Sequence, residues 1–170
     1  MSDFDKYYSS HESGFPVDIR KLIADDGVEL REFSDLPEGI AGQIQRISDS
    51  GRFAISTSKD DSKEWRTYIM AHELGHYALH KSLIGNGLDD NRAFFSTDVG
   101  NYSNKKIGKV QEKEAHIFAC AVLMPEEKIE QLFDEKDDPT NEEVVEFFGV
   151  PAGVLAWWIN VLFEDDDESA

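Results

Sequence analysis

Apolar residues recur along the chain with two periods, and the switches between them lay out the elements. Over residues 17–25, Ile19, Leu22 and Ile23 fall on one face behind Asp18, the pattern of a short amphipathic helix. Residues 28–33 alternate like an edge strand, and residues 41–48 and 52–57 read as two further strands joined by a tight turn at Asp49-Ser50-Gly51. The helical period returns at 63–81, with Tyr68, Ile69 and Leu79 on one side and Met70, Ala71, Leu74 and Ala78 on the other. A helix apolar on both sides is central to its fold. A second helix over 110–125 has an unusually apolar second half, is stopped by Pro125, and is expected to pack against the first.

The remainder is helical. A polar helix over 126–133 leads to an acidic loop, 134–138. Thr140 then starts a helix carrying Val144, Val145, Phe147 and Phe148, with Glu143 completing a capping box. Gly149 ends that helix and Pro151 opens another, containing Val154, Leu155, Trp157, Trp158, Ile159 and Leu162. Trp157 and Trp158 cannot both face the core of one helix, so one is either covered by another part of the chain or anchors a partner. The connection between 80 and 109 is rich in Gly, Asn, Asp and Ser, which suits irregular backbone; within it, Arg92-Ala93-Phe94-Phe95-Ser96 could order as a turn or strand. The expected fold is α+β, a small twisted sheet packed on a central helix with further helices around it. Residues 1–14 are expected to be a flexible lead-in, 15–125 the principal domain, 126–163 a helical segment packed on it, and 164–170 a disordered acidic tail.

Composition narrows the function classes. The chain of 170 residues, 40% hydrophobic, is long enough for one sizeable core. Its formal charge of −18 argues against a nonspecific nucleic-acid surface, because phosphates would be repelled. That charge serves either as a solubility device or as an attraction for a basic partner. Cys120 has no second cysteine to pair with and falls in an apolar helical stretch, so it reads as a small buried hydrophobe. No segment approaches 18 continuous apolar residues and the N-terminus lacks a basic start with an apolar run, so a cytoplasmic protein without membrane contact is expected.

The candidate chemistry sits in the central helix. His72-Glu73-Leu74-Gly75-His76 places two imidazoles one turn apart on the same face, where each can give a ring nitrogen to one ion, while Glu73 lies about 100° around, within reach of a metal-bound water. This is the arrangement of a hydrolytic zinc site and points to a metallopeptidase. Gly75 costs helix stability of roughly 1 kcal/mol relative to Ala, so its place between the histidines marks a packing or access requirement. His80 continues the i, i+4 series, but another turn carries it about 6 Å further along the axis, too far to close a compact site, and it reads as structural or as a partner to a ligand. The third ligand must come from elsewhere. Glu112 shares a face with Ala115, His116 and Ala119, whose mostly small side chains allow close approach, and is favoured; Glu114 lies about 200° around and stays open as the alternative. His116, at i+4 from Glu112, is placed to hydrogen-bond a ligand or to sit as a satisfied core histidine.

The combination resembles a known family. In order, Pro16-Val17-Asp18, the segment Gly39-Ile40-Ala41-Gly42, AHELGHYALH from Ala71 to His80 and EKEAHIFACAVLMP from Glu112 to Pro125 are similar to the ImmA/IrrE zinc-dependent metallopeptidases, over about 15–162. The chain has His116 where members commonly carry Asn or Asp, and Arg66-Thr67-Tyr68 where an arginine-phenylalanine pair is usual. The resemblance implies a gluzincin-like fold, His72 and His76 as ligands, Glu73 as base, a glutamate of the second motif as third ligand, and a helix-turn-helix-like segment around Gly149-Val150-Pro151. It further implies a helix-turn-helix repressor as substrate, cut in a stress response or on induction of a mobile element. By analogy with such peptidases, residues 53–58 are nominated as the edge strand that takes substrate backbone. Zn²⁺ is the expected cofactor, and Mn²⁺ or Fe²⁺ also suit two histidines and one carboxylate. From Asn141 to Leu162 there are three glutamates and no lysine or arginine, which opposes direct DNA reading. Tyr68, Tyr77, Tyr102 and Arg92 are candidate donors to the transition state. The competing reading is a noncatalytic module that binds a repressor or toxin and keeps the metal for folding.

Overall fold

Caps and glycines set the boundaries of the first elements. The computed structural model describes residues 5–8, 11–12, 14–47, 51–85, 88–91 and 106–163. After α1 (Asp5–Tyr8), helix α2 (Ile19–Asp25) is capped by Asp18, whose side chain accepts from the Lys21 amide at 3.1 Å. Gly27, at φ +68°, then turns the chain into β1 (Glu29–Ser34). Strands β2 (Ile40–Arg46), β3 (Phe53–Ser58) and β4 (Leu88–Asn91) complete a four-stranded sheet of order β1-β3-β2-β4, in which β1 runs parallel to β3 and the other pairs are antiparallel.

This order corrects two expectations. β3 is interior: β1 and β2 pair with its two sides and all six of its residues are buried, so its backbone has no free edge for a substrate strand. The edges are β1, as its alternation predicts, and β4. The second correction lies in the connection after His80, where residues 88–91 add to β2 as β4 despite a polar, strand-poor composition. Arg92-Ala93-Phe94-Phe95-Ser96 and Tyr102 lie outside the described residues, as do position 48 of the expected strand and positions 49 and 50 of the expected turn.

Helix α3 (Lys63–His80) is capped by Ser62, which accepts from the Trp65 amide at 3.2 Å. Every residue from 67 to 76 is buried, because the sheet covers one side of α3 and α4 (Lys109–Leu123) the other. Gly75 makes the second contact close. A Cβ there would lie 3.0 Å from the Ala115 carbonyl oxygen and 3.0 Å from Phe118 Cδ1, so the packing requirement inferred for this glycine is real.

Helices α5 (Glu126–Glu135), α6 (Asn141–Phe148) and α7 (Ala152–Phe163) follow. The Thr140 hydroxyl accepts from the Glu143 amide at 3.3 Å while the Glu143 carboxylate accepts from the Thr140 amide at 2.9 Å, and Gly149 ends α6 at φ +68°. The turn sets α6 and α7 87° apart, close to the roughly 90–120° of helix-turn-helix units. Trp158 is buried and donates its indole N–H to the Met124 carbonyl at 2.9 Å, tying α7 to the end of α4. Residues near the N-terminus, expected to be flexible, also dock on α4. The Tyr7 ring stands edge-on to Phe118 with centroids 5.0 Å apart, its hydroxyl donates to Asp26, and His11 donates to the Val122 carbonyl at 2.7 Å. One hydrophobic cluster therefore runs from Tyr7 through β2, β3, α3 and α4 to Trp158. The molecule is α+β. Among the described residues no single helix is long and apolar enough to cross a membrane, and the acidic tail 164–170 lies outside them.

Candidate metal centre

The i, i+4 spacing on α3 brings Nε2 of His72 and Nε2 of His76 within 3.1 Å of each other. α4 crosses close enough at Gly75 to carry Glu112 over the pair, with Oε2 3.2 Å from His72 Nε2 and Oε1 3.5 Å from His76 Nε2. One ligand atom from each of His72, His76 and Glu112 thus lies within 4.8 Å of the others, and all three residues are buried. Among the described residues Glu112 Oε1 has no hydrogen-bond partner. Two imidazole nitrogens facing each other and a carboxylate oxygen left over, all out of water, are electrostatically unfavourable unless a cation or proton lies between them.

The charge states favour a cation. Burial is the main force on His76, holding its imidazolium down to about 4 against the opposing pull of Glu112. Burial alone would raise the Glu112 carboxyl, but the His72 and His76 imidazoles beside it prevail and hold it well below the usual carboxylate range. At neutral pH the site therefore offers a neutral His76 imidazole and an ionised carboxylate, the forms that coordinate metal. A set of two histidines and one carboxylate fits Zn²⁺, with a position left for water or substrate.

Around these three residues lie groups that orient them. Glu73 is buried beside His72 and faces β2, where a Cβ on Gly42 would stand 3.2 Å from Glu73 Oε1 and 2.2 Å from Ile69 Cγ2. Gly42 is what lets the sheet close over the carboxylate. The sequence signal was a glycine inside a strand pattern, which marks close approach. Tyr68, one turn before His72, places its hydroxyl 3.5 Å from His72 Nδ1 and hydrogen-bonds it to His116 Nδ1. His116 thus reaches a candidate ligand through Tyr68 rather than bonding one itself. Burial, followed by the charge of His72, pushes its imidazolium down to about 3. The half-buried Trp157 closes the far side of His116, ring centroids 3.7 Å apart, which accounts for the second tryptophan without a partner.

Other predicted residues are placed away from the centre. Glu114, the alternative third ligand, turns outward and bonds His80 Nε2 at 2.9 Å. Tyr77 directs its hydroxyl to the Asp26 carbonyl and accepts from Lys81, and Tyr68 stands behind His72, so neither faces the cluster as a donor to substrate. Arg92 and Tyr102 lie outside the described residues. Burial pushes the Cys120 thiol up, so it stays protonated as a core side chain.

With this geometry in view, the family-level match is informative. The model of the M78 peptidases, the IrrE N-terminal-like domain, matches residues 27–157. The chain belongs to this family. The matched span runs from the start of the sheet through α3 and α4 into α7, so it includes all three residues of the cluster and Glu73. Membership in the M78 family places the protein among the peptidases, and the buried His72, His76 and Glu112 form a cluster able to hold a metal ion. No curated protein sequence matches the chain.

Proposed function

We propose that this M78-family protein is a zinc-dependent endopeptidase of the cytoplasm that cleaves a regulatory protein, a helix-turn-helix transcriptional repressor, in a stress response or on induction of a mobile element. The observation that carries the catalytic part is the buried convergence of His72, His76 and Glu112 with Glu73 on the adjoining face of α3. The repressor as substrate rests on the family resemblance and on the charge of −18, which favours a partner with basic faces.

His72 and His76 present ring nitrogens to the ion, and Glu112 supplies the negative charge that holds it. Zinc held by these three residues would supply Lewis acidity, lowering the pKa of water and polarising a carbonyl. Glu73 takes the proton from the attacking water onto a carboxylate oxygen as the C–O bond forms, then passes it to the amide nitrogen as the C–N bond breaks. Gly42 lets β2 close over Glu73, and the buried carboxylate is shielded from bulk water.

The test is zinc titration and repressor cleavage by wild type, Glu73→Gln and Glu112→Ala. Glu73→Gln is expected to keep zinc and lose roughly 10²–10⁴-fold in cleavage rate. Glu112→Ala is expected to lose zinc affinity by more than the roughly 10–100-fold typical of removing an outer partner. Wild type that binds no zinc would overturn the reading. Wild type that holds zinc and binds the repressor without cutting it would establish the noncatalytic module instead.

A further inference from the structure

Behind His76, on the side away from the cluster, the structure has a chain of polar contacts that the hydrolytic mechanism does not use. Nδ1 of His76 lies 3.0 Å from Nδ1 of His80, and Nε2 of His80 lies 2.9 Å from Glu114 Oε2. His76 and His80 are buried, whereas the Glu114 side chain is half exposed and lines a groove of about 480 Å³ with Tyr8, Leu79, Ile117 and Phe118. The chain therefore runs from the buried centre to the surface.

One set of hydrogen-bond roles satisfies every contact along it. An ionised carboxylate only accepts, so His80 must donate from Nε2. A His80 ring that donates to Glu114 from Nε2 and accepts at Nδ1 leaves the proton between the two Nδ1 atoms on His76. With its proton on Nδ1, His76 carries its own lone pair on Nε2, the atom facing His72 and Glu112. We infer that His80 and Glu114 are positioning residues that fix the tautomer and ring orientation of His76 for metal binding. The same spacing that made His80 look like the end of a histidine series gives it this role, since one further turn places it behind the ligand instead of beside it. Glu114, whose place in the second motif made it a competitor of Glu112, anchors the outer end. This inference rests on the metal reading proposed above.

Two measurements test it. In the metal-free wild type, ¹⁵N spectra of the histidine side chains are expected to show His76 protonated at Nδ1 and bare at Nε2; the opposite tautomer would overturn the inference whether or not any variant folds. In zinc titrations, His80→Leu, which keeps bulk but cannot accept, is expected to weaken affinity roughly 10–100-fold. His80→Gln, whose amide can accept from His76 and donate to Glu114, is expected to restore most of that loss. A merely structural role predicts a different result, lower stability of the metal-free protein in both variants with zinc affinity unchanged. Zinc bound as tightly by His80→Leu as by wild type would overturn the relay alone, and wild type that binds no zinc would remove it together with the reading on which it rests.

Discussion

Replacing Gly42 by alanine tests how the sheet and the central helix are fitted together. The added Cβ would lie 2.2 Å from Ile69 Cγ2 and 3.2 Å from Glu73 Oε1. Carbon atoms in contact sit about 3.5–4.0 Å apart, so the overlap with Ile69 exceeds 1 Å. Ile69 has little freedom to give, because a β-branched side chain in a helix holds one χ1 rotamer. Nor can α3 slide away from β2, since its other side is already against α4 at Gly75. Overpacking of this kind costs about 1–3 kcal/mol, while removing a strand glycine returns roughly 0.5–1 kcal/mol of backbone entropy. The expected net loss is about 1–2 kcal/mol, which for a chain of this size lowers Tm by about 2–8 °C. Urea unfolding of the metal-free protein, followed by far-ultraviolet circular dichroism, measures it without relying on activity. A midpoint and slope equal to wild type would show that β2 and α3 are not in close contact at Gly42, and the placement of Glu73 against the sheet would fail with it.

Two further expectations concern the remainder of the molecule. His76 and His116 are held near 4 and 3 chiefly by burial, so as pH falls below about 6.5 the unfolded chain binds their protons before the folded one does. Stability is full above that pH and declines toward pH 4, by about 2 kcal/mol for each imidazole at pH 5. Glu112, also depressed, adds a loss in the same direction below its ordinary range. With metal chelated, the urea midpoint should therefore drop between pH 7.5 and 5, and a level or rising midpoint would contradict the burial of these histidines. Gly153→Ala provides the converse of Gly42. Among the described residues nothing lies within 4 Å of the position its Cβ would take in α7, so helix propensity alone acts and Tm should rise by the equivalent of up to about 1 kcal/mol; a lowered Tm would mean that α7 packs differently.

What could be read from the sequence follows from how local the governing physics is. The cap at Thr140 with Glu143, the stop at Gly149 and the turn through Pro151 are short-range chemistry, and the structure has each of them. Helices α3 and α4 were legible because their apolar period persists for several turns. Likewise, His72, Glu73 and His76 are related by the geometry of one helix and need nothing else to be placed on it. The partner on α4 was half legible. Helical phase separated Glu112 from Glu114, but only the crossing of α3 and α4 decides which one meets the histidines. The strand order was not legible at all, because an apolar run such as residues 53–58 looks the same at an edge as in the interior. β4 was hidden for a related reason: its polar residues are recruited by the pairing β2 offers, not by their own propensity.

The sequence by itself therefore determined the family, the elements with strong local signals, and the pair of histidines with its neighbouring carboxylate, since each is a property of neighbours along the chain. Tertiary structure decided that Glu112 closes the cluster while Glu114 turns out to His80, that Tyr68 stands between His116 and His72, and that Gly42 admits Glu73 beneath the sheet. Each of these depends on distances of a few ångströms between segments tens of residues apart, set by how closely small residues let helices and strands approach, and no periodicity within a single element encodes them.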